Sequence, residues 1–340
     1  MQRMKISQNP DTGNLETSVE SSAETPQAAQ TIAAASLAPQ RDDSRNHSND
    51  IRLPEAGDDQ RLALFGRGRD TRDAEQTLRD HSLNGSFVAH FEQQLERGKI
   101  RIGVIDDFGP STTHGRNVEE RILSQMPQSL RDKVEIVRYD VAGLSGDDRA
   151  RVISQAANDA KDKNLLALSV SGGINAYPVG NIERLIGNRD LTQDTARAAY
   201  DALIKNNNTS PALQEAMRDL NQASGKIPVV TPVWNNDTTT LPALLLGSRS
   251  GNGIVTSIDR PTVDPLGILY NATQIPGIVD VNVPSQPGNP NTSQSSPYFI
   301  GNLLRYGLEQ YEERHPRVPT PQPGPARNAP RADGGTDPVA

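Results

Sequence analysis

The chain of 340 residues has no cysteine, which excludes a disulfide framework, a thiolate nucleophile and a thiolate metal site. Aromatic residues are scarce at 4%, and all of them lie between Phe65 and Tyr311. No window reaches the ~18 consecutive apolar residues of a membrane span. No long basic run occurs and the net charge is −7, so charge-driven binding to nucleic acid or to an anionic membrane is not expected. The first eight residues, Met-Gln-Arg-Met-Lys-Ile-Ser-Gln, lack the apolar h-region of a secretory signal. Sec-type export is therefore not expected, which leaves the cytoplasm or a non-Sec route.

What is present is unevenly distributed. Residues 1–60 are rich in Ser, Gln, Asn, Thr and Asp, a composition that predicts a disordered polar tail. Two readings of it stay open: a solvated tail without a role, or a non-cleaved secretion address, since such N-termini resemble those of bacterial effectors injected into host cells. Residues 315–340 carry Pro316, Pro319, Pro321, Pro323, Pro325, Pro330 and Pro338 without one aromatic, and are expected to form a second disordered tail. Between the tails lies a body of roughly 250 residues, enough for a sizeable interior.

Within that body, residues 61–98 form a helical N-terminal element, with Leu78, Phe87, Val88, Phe91 and Leu95 spaced among charged residues. It is expected to pack on the main domain, the alternative being the remnant of an inhibitory pro-segment. Residues 99–314 then alternate strands and helices. Strands are predicted at 100–105, 134–139, 165–170 and 227–233. Helices are predicted at 116–125, 147–160, 192–205, 211–223 and 297–312, with short strands and turns after Leu244. This alternation of β-branched runs with amphipathic stretches predicts a mostly parallel sheet with helices on both faces, a three-layer α/β/α sandwich. In such sheets chemistry gathers beyond the carboxyl ends of the strands.

Four segments fall there. Ile102-Gly103-Val104-Ile105-Asp106-Asp107 is a strand ending in carboxylates. His114-Gly115-Arg116-Asn117-Val118 puts an imidazole at a helix start. Pro228-Val229-Val230-Thr231-Pro232-Val233-Trp234-Asn235-Asn236 is a strand ending in an amide pair. Asn291-Thr292-Ser293-Gln294-Ser295-Ser296-Pro297 is a small-residue turn opening a helix. Acyl transfer needs these parts. A serine hydroxyl needs a neighbouring imidazole to take its proton. The imidazole needs a carboxylate to fix its tautomer, and the developing oxyanion needs preorganised donors such as an Asn amide and a backbone N–H. Taken singly, each residue also has a plain structural role, for Ser293 that of a helix N-cap.

The order Asp…His…Asn…Ser and the local motifs resemble the subtilase (subtilisin-like) family of serine proteases. Asp106 matches the Asp ending a Val-Ile-Asp strand, and His114-Gly115 with Val118 matches His-Gly-x-x-Val. Thr292-Ser293 with Pro297 matches the nucleophile motif, and Asn235 falls where the family keeps its oxyanion Asn. Leu168-Ser169-Val170-Ser171-Gly172-Gly173 looks like the segment that pairs with substrate backbone, and Asp280-Val281-Asn282-Val283-Pro284 resembles the stretch before the nucleophile. The resemblance covers about residues 100–312. It implies a serine endopeptidase acting on protein or peptide substrates, with Ser293 as nucleophile, His114 as base, Asp106 orienting it and Asn235 holding the oxyanion. Ser169, Ser171, Gly172 and Gly173 would be substrate-binding. It implies no cofactor, although structural calcium occurs in the family.

Four features depart from the family pattern. Asn291 and Trp234 stand where it has Gly, Gln294 follows the serine, and Asp106 and His114 are only eight residues apart. Asp107 competes for the carboxylate role. These departures keep two alternatives in view: a catalytically silent subtilase-like binding module, and a non-proteolytic serine hydrolase. The remaining histidines, His47, His81, His90 and His315, show no metal-ligand spacing, so no zinc site is expected.

Overall fold

The structure is a computed structural model that describes residues 4–8, 15–19, 69–171, 176–207, 209–260, 262–263, 269–285 and 292–316. The chain divides into two units, Met1–Leu53 and Pro54–Ala340.

In the first unit, Met4–Gln8 pairs antiparallel with Leu15–Val19, in register from Met4↔Val19 to Gln8↔Leu15. The sequence reading of residues 1–60 as a polar tail did not anticipate this strand pair. Composition averaged over sixty residues hides the local alternation of Met4 and Ile6 with polar neighbours, which is the period-two signal of a strand. The rest of residues 1–60, and the Pro-rich residues beyond 316, lie outside the described residues.

The second unit is built on six strands: β1 Ile100–Asp106, β2 Val134–Asp140, β3 Ala167–Val170, β4 Val229–Pro232, β5 Ile254–Ile258 and β6 Val281–Val283. Their order is β6-β5-β4-β3-β1-β2, and every neighbouring pair is parallel. The helices are α1 Arg69–Asp80, α2 Asn84–Glu96, α3 His114–Leu123, α4 Gln128–Arg131, α5 Gly146–Asp162, α6 Val179–Leu185, α7 Gln193–Asn206, α8 Pro211–Ser224, α9 Leu241–Leu246 and α10 Ser295–Arg314. Among the described residues, no helix is long and apolar enough to cross a membrane.

The four inner strands, β1, β3, β4 and β5, are buried on both faces, as a doubly covered parallel sheet requires. Successive residues therefore enter different cores. Ile105, Val229 and Val255 pack with residues of α5, α7, α8 and α9, whereas Val104, Val230 and Ile254 pack with residues of α1, α2, α3 and α10. Each fully buried Val or Ile contributes roughly 1.5–3 kcal/mol relative to exposure. The helical N-terminal element thus belongs to the second core, with Leu78, Phe87 and Phe91 buried in it beside Phe299 and Leu303 of α10. It breaks into two helices at Ser82, whose φ of 57° no helix accommodates.

The sheet reverses its direction of growth at β1. Chain order runs outward from β1 to β2, then returns to β3 on the other side. The carboxyl end of β1 therefore lies at a topological switch point, where neighbouring connections part and leave a crevice.

Candidate active site

Asp106 is the last residue of β1 and is fully buried. Its carbonyl accepts a hydrogen bond from Val141 N at 3.0 Å, which ties the strand end to the segment after β2. The connection onward is short and closely bonded. Asp107 turns its carboxylate into the loop and accepts from Gly109 N at 3.1 Å. Asp140 Oδ1 accepts from Phe108 N at 2.9 Å. Thr112 Oγ1 accepts from His114 N at 3.1 Å, and Gly115 N donates to Asp107 O at 3.0 Å.

The last bond explains the glycine of the His-Gly pair. A Cβ at Gly115 would stand 2.7 Å from Asp107 O and 2.6 Å from the Phe108 ring. Only a residue without a side chain lets α3 begin this close to the end of β1. The eight-residue spacing is closed by a tight turn instead of an intervening strand.

That turn brings His114 Nδ1 to 2.7 Å from Asp106 Oδ1, and the same oxygen accepts from Asp107 N at 2.6 Å. His114 Nε2 lies 2.9 Å from Ser293 Oγ. With a carboxylate on Nδ1, the hydrogen-bond network assigns the proton to Nδ1 and leaves Nε2 to accept from the serine hydroxyl. The two hydrogen bonds connect the side chains in series, from the buried Asp106 carboxylate through an imidazole whose side chain is 33% exposed to the Ser293 hydroxyl.

Ser293 comes from the other end of the unit. It is the middle residue of a 3-10 turn, Thr292–Gln294, that leads directly into α10. Every residue from Thr292 to Pro297 is buried. Asn235 follows β4 and its Oδ1 accepts from Thr292 N at 3.1 Å, so its amide is already fixed against the turn that carries the serine. Thr292 Oγ1 is buried with no hydrogen bond among the described residues.

The backbone around Asn235 is unusual. Trp234, Asn236 and Asp237 adopt φ of 98°, 51° and 55°, the left-handed region that costs non-glycine residues about 1–3 kcal/mol in a bulky or β-like setting. Neighbours hold the segment in place. Thr273 N donates to Trp234 O at 3.1 Å, Asn236 N donates to Asn271 O at 2.8 Å, and Thr238 Oγ1 donates to Asn235 O at 2.6 Å. Trp234 thus occupies a glycine-like conformation where the subtilase pattern has glycine.

The other residues singled out from the sequence are placed differently. Ser169 and Ser171 are fully buried, with their hydroxyls 2.8 Å apart. These hydroxyls are turned to each other in the interior, so a contact with a substrate there would be through main-chain atoms. Gly172, Gly173 and Asn291 lie outside the described residues. A cavity of about 530 Å³ opens elsewhere, beside residues preceding β4, β5 and β6, and none of Asp106, His114 and Ser293 lines it.

One grouping has no signal in residue spacing. Glu92 and Glu96 of α2 meet His315, just beyond α10, with ligand atoms within 4.8 Å of one another, a set that could hold a metal ion. Glu92 is already bonded to His315 at 2.6 Å and to Arg314 at 2.9 Å. The His315 hydrogen bond and the Arg314 charge hold its carboxyl below the usual range.

No protein-family model matches the chain, and a search of curated proteins finds no match.

Proposed function

We propose that the chain is a serine endopeptidase of subtilisin-like design. The observation that carries this reading is the position of His114, 2.7 Å from a buried carboxylate on one ring nitrogen and 2.9 Å from Ser293 Oγ on the other. In the mechanism, Ser293 Oγ attacks the scissile carbonyl carbon while His114 Nε2 takes its proton. Asp106 keeps His114 in the accepting tautomer and balances the imidazolium. The carbonyl oxygen, now an oxyanion, is held by the Ser293 backbone N–H and the Asn235 amide. His114 then returns the proton to the leaving amine, and water deacylates the serine by the same path.

Covalent labelling by a fluorophosphonate tests the nucleophile. The full chain is expected to label, and Ser293→Ala and His114→Ala to abolish labelling. Cleavage of an unfolded protein then separates a peptidase from an esterase. An unlabelled but folded wild-type chain would overturn the reading. One observation favours a second reading, a binding module that keeps the fold without turnover: the strained Trp234 beside Asn235.

A further inference from the structure

Behind the serine turn lies a chain of buried hydroxyls that the mechanism above does not use. Ser295 Oγ donates to Thr292 O at 2.6 Å. Thr256 Oγ1, on β5, lies 2.7 Å from Ser295 Oγ and 3.0 Å from Ser296 Oγ. Thr256, Ser295 and Ser296 are all fully buried.

A hydroxyl has one proton to give. Ser295 gives its proton to Thr292 O. Thr256 has a second acceptor in Thr231 O at 3.4 Å, and the nearer Ser295 Oγ at 2.7 Å takes its one proton, which leaves Thr256 to accept from Ser296. The chain therefore has a direction, Ser296 to Thr256 to Ser295, and it ends on the carbonyl of Thr292. That carbonyl belongs to the same peptide unit as the N–H of Ser293. In a planar trans peptide, the C=O and N–H point in opposite directions, so a donor fixed on the oxygen also fixes the direction of the hydrogen. It polarises the N–H as well, because hydrogen bonds in series strengthen one another at low dielectric.

We propose that Thr256 and Ser295 are positioning residues for the oxyanion donor: they orient and polarise the Thr292–Ser293 peptide from the sheet side. Asn235 acts on the preceding peptide in the same sense, accepting from Thr292 N with Oδ1. The residue before the nucleophile is thus held at its N–H by a side chain after β4 and at its carbonyl by a hydroxyl relay from β5. An oxyanion donor acts where charge develops in the transition state, so a misdirected Ser293 N–H lowers turnover more than ground-state binding. The inference rests on the hydrolase reading.

The test uses hydrolysis of a p-nitrophenyl ester by the full chain, with kcat and KM determined separately, beside fluorophosphonate labelling. Ser295→Ala is expected to lower kcat about tenfold with KM within twofold, the scale of a weakened and not a deleted oxyanion donor. Thr256→Val is expected to give a similar loss, and Thr256→Ser, which keeps the hydroxyl, to restore the rate. The double variant Ser295→Ala, Thr256→Val is expected to be no slower than Ser295→Ala alone, because both break one chain. An unchanged kcat in Ser295→Ala, losses that add in the double variant, or failure of Thr256→Ser to restore the rate would overturn the proposal. Thermal melts of each variant separate misfolding from misorientation. A wild-type chain that neither labels nor hydrolyses ester would overturn the hydrolase reading itself, an outcome distinct from a reactive wild type with indifferent variants.

Discussion

Asp106 Oδ1 and His114 Nδ1 meet at 2.7 Å because Gly115, one residue further along, hydrogen-bonds directly to the carbonyl of Asp107. The close contact is made by backbone, and the side-chain geometry follows from it. Gly115→Ala would push its Cβ into Asp107 O and the Phe108 ring. The expected result is a loss of labelling rate of at least ~10-fold, since small displacements of reacting groups are costly, with a fall in stability of about 1–3 kcal/mol. Labelling kinetics and urea unfolding check the two parts.

The two adjacent carboxylates have separable roles. Asp106→Asn leaves the shape but reverses the tautomer preference of His114, and a fall in kcat of about 10⁴ is expected. Asp107→Asn keeps an oxygen for Gly109 N and is expected to stay within about threefold of wild type, a change near the ~0.6 kcal/mol scale of a neutral substitution. Ester hydrolysis by the two variants, measured side by side, decides which carboxylate serves the imidazole.

Asn235→Ala removes both the acceptor for Thr292 N and the amide proposed to meet the oxyanion. A loss of about 10²–10³ in kcat is expected, with KM little changed. An unchanged kcat with a raised KM, matched by an equal loss of affinity for a non-hydrolysable peptide, would instead assign Asn235 to ground-state binding.

His81 gives a pH dependence remote from the serine. Burial is the largest influence on its imidazolium and pulls its pKa down, but the hydrogen bond to Asp280, the charges of Asp280 and Asp80, and a bond to the Asn252 backbone together lift it above its ordinary value. The folded-state pKa therefore exceeds the unfolded one, near 6.5. The stabilisation is complete below about pH 6.5 and fades as pH rises through the folded value. Melting temperature is expected to fall over that window in the wild type, and His81→Gln is expected to flatten the slope.

Gly307→Ala probes the packing of α10. Its Cβ would lie 2.5 Å from the Phe91 ring, itself fully buried. A destabilisation of about 1–3 kcal/mol is expected, measured by denaturant unfolding.

The legible parts of the molecule are those whose signal is local. β1, β2 and β4 are β-branched runs, and α10 is a long periodic stretch beginning after a turn of small residues. Asp106, His114, Asn235 and Ser293 stand at the ends of such elements, so their places followed once the elements were placed. α9 was not legible, because Leu241–Leu246 is buried all round and carries no amphipathic period. The pairing of Met4–Gln8 with Leu15–Val19 was hidden by the composition of its surroundings. The hydroxyl relay and the Glu92–His315 contact depend on how distant segments cross, and no spacing within one segment encodes that.

Ser293 and the imidazole it meets are separated by 179 positions, with β1 and α3 near the start of the domain and α10 at its end. During synthesis, the base and its carboxylate leave the ribosome long before the hydroxyl they serve. A nascent chain, or one clipped anywhere between His114 and Ser293 and separated into its pieces, holds only half of the constellation. Assembly of the site thus requires α10, and the reactivity proposed for Ser293 would arrive only with that helix.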